Sequence, residues 1–153
     1  MHSNKILDIY HKLLDIYGYQ GWWPLLDIKT LSGYHPKDYS YPKNFKQKFE
    51  VICGAILTQN TSWQNVKKVI YELYEKNLLD PNKIVKMDIE LLTKIIKPAG
   101  YFNQKAKKLK ITADFFKNKQ TYTPKREELL KVWGIGHETA DSILLYAYKV
   151  PSF

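Results

Sequence analysis

The chain has 153 residues, of which 44% are hydrophobic and 25% are charged, and its formal net charge is +9. These proportions exclude a wholly disordered chain and fit a globular protein with one sizeable core. The single cysteine, Cys53, excludes an internal disulfide and a cysteine-rich metal cluster within these residues.

The apolar runs are too short to span a membrane, and the N-terminal residues lack the apolar core of a signal peptide. We therefore expect a cytoplasmic, nucleoid-associated protein. The basic charge balance favours a polyanionic partner. Since Arg126 is the only arginine, the basic residues suit phosphate neutralisation better than bidentate base reading.

Hydrophobic periodicity predicts helices along nearly the whole chain. The first spans residues 4–17, with Ser3 as its cap, and ends at Gly18. A loop rich in Gly, Pro, Tyr and Trp follows over residues 19–43, a length typical of functional loops. A second helix over residues 44–58 is apolar on all sides in its later half, which predicts a buried central helix.

Caps and chain breaks divide the middle of the chain into shorter helices. A capping box at residues 61–64 opens a third helix that ends near Lys76. Asp80, followed by a proline, and Asp88 are predicted to cap two short helices. A basic helix follows over residues 104–117.

A Gly-Ile-Gly turn at residues 134–136 joins two further predicted helices, one starting at Thr123-Pro124 and one covering residues 137–148. Two glycines before a helix allow a tight turn that presents bare N–H groups, and the helix dipole adds a preference for an anion. In so basic a chain, we expect that anion to be a nucleic-acid phosphate. Because neither a β-hairpin signature nor an internal repeat is present, the sequence predicts an all-α fold.

Three segments in this order and spacing resemble the helix-hairpin-helix DNA glycosylases of the endonuclease III superfamily. The first is Gly-Ala-Ile-Leu-Thr-Gln-Asn-Thr at residues 54–61, and the second is Pro-Ala-Gly-Tyr-Phe-Asn-Gln-Lys-Ala at residues 98–106. The third is the Gly-Ile-Gly hairpin. Trp22-Trp23-Pro24 ahead of Phe49-Glu50 is most similar to the branch called 3-methyladenine DNA glycosylase III.

The resemblance implies two helical lobes with a central cleft, and a duplex DNA partner that contains a damaged base. Residues 1–20 would belong to the second, incomplete lobe, and residues 21–153 would form the helix-hairpin-helix lobe, with the hairpin at 124–148. The implied activity is base-excision repair by hydrolysis of the N-glycosidic bond of damaged bases, typically alkylated purines.

Roles for individual residues also follow from the resemblance. Gln59 matches the residue that fills the gap left by a flipped base, although a helix-terminal Gln can equally satisfy backbone groups. An aromatic pocket suits an electron-poor alkylated purine, although these side chains can equally be core. The implied pocket residues are Trp22, Trp23, Pro24 and Phe49. The implied DNA-binding residues are Gly134, Ile135, Gly136, His137, Thr139 and Lys105.

Lysines surround the predicted basic helix. They would add salt-dependent affinity for the DNA backbone, although such a run is equally typical of a solvated helix face. These residues are Lys105, Lys107, Lys108, Lys110, Lys117 and Lys119.

No catalytic residue is expected within the chain. Relatives carry a catalytic Asp beyond the position equivalent to Glu138, and that count runs past Phe153. Asp141 is not a substitute, because an acid in the first turn of a helix commonly favours the dipole. Glu138 occupies the position where bifunctional relatives carry a nucleophilic Lys, and Glu cannot form an imine. The resemblance therefore implies a monofunctional glycosylase without β-lyase activity.

No cofactor or metal is expected, apart from the monovalent cation that often binds at the hairpin in this family. These residues do not decide whether an iron–sulfur cluster is present elsewhere, although the branch resembled lacks one. If the C-terminal helices that normally cover the first helix are missing, its apolar stripe from Ile6 to Tyr17 loses its packing partner. We then expect marginal stability or self-association through this face.

Two alternative functions remain open at this point. One is an endonuclease III-type glycosylase for mismatched or oxidised pyrimidines, against which Trp22-Trp23-Pro24 argues. The other is a non-catalytic helix-hairpin-helix module that only binds DNA.

Overall fold

The computed structural model describes residues 2–28 and 33–152, with side chains from residue 5 onwards. Every regular element in these ranges is helical, which confirms the predicted all-α class. The chain divides into two compact units, Met1–Tyr41 and Pro42–Phe153. The boundary expected at residue 20 stays a prediction. No helix among the described residues is both long and apolar enough to cross a bilayer.

The first unit begins with helix α1, His2–Tyr17. It starts two residues before the predicted helix and ends where predicted, as the Gly18 amide donates to the Leu14 carbonyl oxygen at 2.8 Å. The residues that follow form an irregular segment held by the buried side chain of His35. Its Nε2 lies 3.0 Å from the carbonyl oxygen of Trp23, and its Nδ1 lies 2.8 Å from the carbonyl oxygen of Asp38. Both partners only accept, so both contacts are hydrogen bonds at once only when His35 is an imidazolium.

The apolar stripe of α1 is exposed, with Ile6 and Ile16 each 70% accessible. Each large apolar side chain left in water forgoes about 1.5–3 kcal/mol of burial. We therefore expect the chain to self-associate through this face. Sedimentation should show a dimer or larger species for the wild type and a monomer for the double variant Ile6→Lys, Leu13→Lys. A wild-type chain that stays monomeric at every concentration would contradict this expectation, and Lys12→Met is the control on the same helix.

The second unit is built around helix α2, Phe45–Leu57. The side chain of Asn44 caps it by accepting a hydrogen bond from the Gln47 amide at 2.9 Å. Its residues from Phe49 to Leu57 are all buried, which confirms the predicted central helix. Cys53 is fully buried as expected, and burial raises the pKa of its thiol well above the ordinary value.

Helix α3, Trp63–Glu75, follows α2. Its N-cap is Ser62, whose side chain makes no capping hydrogen bond, so the predicted capping box is wrong. The box needs Gln64 at the third helical position to reach back to the cap. Because the helix begins one residue later than the box requires, Gln64 stands at the second position.

Three helices and one short turn complete the middle of the unit. Asp80 and Asp88 cap α4 and α5 with their side chains, as predicted. A single 3₁₀ turn then leads into α6, which starts two residues before the predicted basic helix and packs against α4 and α5. The bounds are Pro81–Lys86 for α4, Ile89–Ile96 for α5, Lys97–Ala99 for the 3₁₀ turn and Phe102–Phe116 for α6.

The C-terminal part contains the predicted hairpin. Helix α7, Arg126–Leu130, starts later than expected because Lys125, rather than Thr123, is its N-cap. Helix α8, His137–Ser142, continues as a π-helical turn over Ile143–Ala147, and both pack against α2. The central helix α2 therefore packs against the second helix of the hairpin.

Candidate nucleic-acid interface

The Gly-Ile-Gly turn between α7 and α8 is closed by its central residue. The Ile135 amide donates to the Val132 carbonyl oxygen at 3.1 Å, and the Ile135 side chain is buried. Gly134 has a φ of +92°, a conformation that favours glycine. A Cβ there would lie 2.5 Å from Cγ of Lys108. Gly134 is therefore required both by its backbone conformation and by a close approach to α6.

Gly136 differs from Gly134 in both respects. Its φ of −90° and ψ of −178° are extended values that any residue adopts. A Cβ at this position would meet nothing within 4 Å. Gly136 is the N-cap of α8, and because it has no side chain it makes no capping hydrogen bond to the first turn. The surface of the hairpin at Gly136 is thus open, with the first amides of α8 lacking intrahelical acceptors.

Gln59, just beyond the end of α2, is hydrogen bonded to the hairpin. Its side-chain Nε2 donates to the Gly134 carbonyl oxygen and to Thr139 Oγ1, both at 3.1 Å. Its Oε1 accepts from Nζ of Lys108 at 2.6 Å. The structure therefore brings together the predicted wedge residue and the predicted hairpin, with Thr139 turned towards Gln59 and 9% exposed.

Lys105 does not lie where the sequence led us to expect a phosphate contact. It is only 2% exposed, and its Nζ donates to the carbonyl oxygens of Leu57 and Ala99, each at 2.8 Å. Burial, and next the positive charge of Lys108, lower the pKa of the Lys105 ammonium. In this structure, Lys105 links the end of α2 to the 3₁₀ turn through these two hydrogen bonds.

Asp141 is held by a bidentate ion pair. Nε and Nη2 of Arg126 donate to its two carboxylate oxygens at 2.7 and 2.9 Å, and the Ser152 hydroxyl donates at 2.5 Å. The bonds from Arg126, and next that from Ser152, lower the pKa of Asp141 to about 2. Arg126 also donates to Nδ1 of His137 at 3.1 Å. Nothing in the sequence indicates this cluster, because no spacing rule links residues 126, 141 and 152.

His137 and Glu138 lie on the exposed side of the first turn of α8. Because Nδ1 of His137 accepts from Arg126, a neutral imidazole carries its proton on Nε2. Among the described residues that N–H has no hydrogen-bond acceptor, so it can donate to a phosphate oxygen. The position of His137 is therefore consistent with the predicted phosphate contact.

The predicted pocket residues of the first unit adjoin one another. The Trp22 ring lies 5.7 Å from that of Trp23 in an edge-on arrangement and 5.5 Å from the Tyr34 ring. Trp22 is 44% exposed, whereas Trp23 and Pro24 are buried. In the second unit, Phe49 is fully buried and stacks with Phe45 at 6.4 Å. A common pocket for the four residues stays a prediction.

The described residues contain no group of three or more His, Cys, Asp or Glu side chains that could hold a metal ion. The expectations of no cofactor, of a monovalent cation at the hairpin and of no iron–sulfur cluster stay predictions.

The sequence matches the profile of the HhH-GPD superfamily base excision DNA repair proteins over residues 53–141. A protein of Methanocaldococcus jannaschii, provisionally named a DNA repair glycosylase, is 40% identical over the whole chain and 67% of its own length. Endonuclease III of Thermotoga maritima is 30% identical over 73% of the chain and 54% of its own length.

Solved structures show the same relationship. The 3-methyladenine DNA glycosylase of H. pylori, bound to 1,N6-ethenoadenine, superimposes with a TM-score of 0.70 at 30% identity. That match covers 96% of this chain and 65% of the other. An endonuclease III in a non-covalent DNA complex gives a TM-score of 0.74 over 99% of this chain and 62% of the other. At 20% identity this second likeness concerns the fold alone, and it confirms the endonuclease III-like fold. The chain thus spans about two thirds or less of the length of these relatives.

Proposed function

We propose that this protein is a DNA glycosylase that removes alkylated purines. The chain belongs to the HhH-GPD superfamily of base excision DNA repair proteins. The observation that carries the proposal is the contact between Gln59 and the hairpin. A glycosylase has to grip the backbone and fill the gap left by an extruded base at the same place. Here the side chain proposed to fill that gap is bonded to the turn proposed to grip the backbone.

The hairpin surface supports a role in DNA binding. Gly136 leaves the backbone bare on the open side, and the adjacent amides of α8 can donate to a phosphate. The net charge of +9 adds long-range attraction to DNA. His137 adds one side-chain donor next to these amides.

The preference for alkylated purines is proposed from the aromatic segment of the first unit. Trp22 presents a partly exposed indole beside Trp23 and Tyr34. An electron-poor or cationic base stacks favourably on such a face, with cation–π attraction worth about 0.5–2 kcal/mol. The relative from H. pylori binds a modified adenine. We extend that preference to this protein as part of the proposal.

The proposed reaction is hydrolysis without strand cleavage. Glu138 stands at the position of the lyase nucleophile and offers a carboxylate, which cannot form an imine. We assign no catalytic role to Asp141, since Arg126 and Ser152 already occupy its oxygens. We assign the activation of water to no carboxylate among the described residues.

Binding to defined duplexes tests the proposal. The chain should bind a duplex with an abasic-site analogue more tightly at low salt than an undamaged duplex, since the extrusion of a base, which requires a few kcal/mol, is already complete. Trp22→Ala should reduce the affinity for duplexes that contain an alkylated purine. The control Tyr39→Ala removes another exposed aromatic ring of the same unit and should leave that affinity unchanged.

Excision assays separate the proposed activity from the two alternatives. The whole protein, which would include the catalytic Asp expected beyond Phe153, should release alkylated purines and form no borohydride-trapped adduct. Release of oxidised pyrimidines, or a trapped covalent adduct, would favour an endonuclease III-type enzyme. Binding without release of any base would favour a DNA-binding module. Equal affinity for damaged and undamaged duplexes would overturn the proposal.

A further inference from the structure

Lys108 lies at the junction of α6, Gln59 and the hairpin. Its aliphatic stem packs so closely on Gly134 that a Cβ there would lie 2.5 Å from Cγ and 2.8 Å from Cδ of the lysine. Its ammonium lies 2.6 Å from Oε1 of Gln59. The charge is therefore positioned directly beside the turn that we expect to approach a phosphate.

The hydrogen bonding of Lys108 is incomplete. An ammonium has three donors, and across residues 2–28 and 33–152 Gln59 is the one acceptor that Lys108 has. No carboxylate in those ranges forms an ion pair with it. Lys105, one turn away, differs because it is buried with two carbonyl acceptors. Lys108 is half-buried and has donors to spare for an external acceptor.

The Gln59 amide forms hydrogen bonds through both of its polar atoms. Both its nitrogen and its oxygen are bonded, to Gly134 and Thr139 and to Lys108 respectively. If Gln59 enters the gap left by an extruded base, these three bonds have to break. Lys108 then loses its acceptor at the moment when a phosphate arrives at the neighbouring turn.

We propose that Lys108 exchanges partners on damaged DNA, leaving the Gln59 carbonyl oxygen for a phosphate oxygen of the strand that the hairpin approaches. This inference rests on the proposed function, since it takes Gln59 as the residue that fills the gap. The exchange replaces a hydrogen bond from the ammonium to a neutral amide oxygen with one to an anionic phosphate oxygen, which adds the attraction between opposite charges. It thereby offsets the loss of the bonds that hold Gln59 to the hairpin.

Salt dependence of duplex binding tests the exchange. Each phosphate contact by a lysine adds about one to the slope of log affinity against log salt. For a duplex with an abasic-site analogue, Lys108→Met should reduce the slope by about one, and Lys108→Arg should restore it. For an undamaged duplex, where Gln59 stays on the hairpin, Lys108→Met should leave the slope unchanged.

Two further variants complete the design. Lys76→Met removes the same charge from the end of α3, where Glu72 already pairs with it at 3.9 Å; its slope should match the wild type on both duplexes. In a Gln59→Ala background, the Lys108 ammonium lacks the Gln59 oxygen as an acceptor and can contact a phosphate on either duplex. Adding Lys108→Met to this background should therefore reduce the slope on both duplexes. Thermal melting of each variant checks that the fold is intact.

Each failure has a distinct signature. An unchanged slope for Lys108→Met on the abasic-analogue duplex would overturn the inference while leaving the proposed function standing. A reduced slope on both duplexes in the wild-type background would show a phosphate contact without exchange, which also overturns it. If the wild type shows no preference for the abasic-analogue duplex, the proposed function fails and this inference fails with it.

Discussion

Replacing Lys105 with methionine is expected to lower the free energy of unfolding by about 2–6 kcal/mol, since two buried carbonyl groups each lose their donor at about 1–3 kcal/mol. Methionine keeps most of the aliphatic stem, so the change removes the ammonium rather than the packing. The carbonyl groups belong to Leu57 and Ala99, and each lies 2.8 Å from Nζ. Denaturant unfolding followed by circular dichroism measures the loss.

Lys107 provides the matched control for this experiment. It is exposed on the same helix, and Lys107→Met should change the stability by no more than about 0.5 kcal/mol. Duplex affinity separates the structural role of Lys105 from the phosphate contact that the sequence led us to expect. If Lys105→Met left the stability unchanged and reduced the salt dependence of duplex affinity, Lys105 would be a phosphate contact. That result would contradict its burial.

Replacing Gly136 with valine is expected to weaken duplex binding by about tenfold or more, equivalent to about 1.4 kcal/mol, without lowering the melting temperature. The backbone of Gly136 is extended and a Cβ there is unopposed, so the free chain accommodates a branched side chain. The added methyl groups would occupy the space into which we expect a phosphate to come. Fluorescence anisotropy with an abasic-analogue duplex, together with thermal melting, measures both effects.

Gly134→Ala is the contrasting variant. Its positive φ and the 2.5 Å approach to Lys108 predict a loss of stability, with about 1–3 kcal/mol from the backbone conformation alone. Substitution of Gly134 should therefore reduce the stability of the fold, whereas substitution of Gly136 should reduce the affinity for DNA. Normal duplex affinity for Gly136→Val would place the DNA-binding surface elsewhere on the chain.

Local patterns in the sequence were sufficient for the helices. The caps at Asp80 and Asp88 depend on neighbouring residues only, and the structure has them where predicted. The apolar later half of α2 likewise identified the buried central helix. The start of α3 was misjudged by one residue, since Thr61 and Ser62 are both able to cap and local sequence does not choose between them.

The sequence led us to expect Lys105 on the surface, and the helix periodicity shows why that expectation was wrong. Residues 105, 109, 112 and 116 lie on one face of α6, and all four are buried. A lysine on that stripe could have been read as a buried cation that needs carbonyl partners. The family resemblance and the lysine-rich helix suggested a phosphate contact instead, because a charged residue is usually exposed.

Neighbouring residues and motif order are sufficient to specify the helical class, the glycine turn and the family resemblance. Which donors face outwards is set by the three-dimensional arrangement of the helices. Contacts between Gln59 and Thr139, 80 residues apart, or between Arg126 and Asp141, depend on how helices pack. Hydrogen bonding of long polar side chains is set by that packing, and no local pattern encodes it.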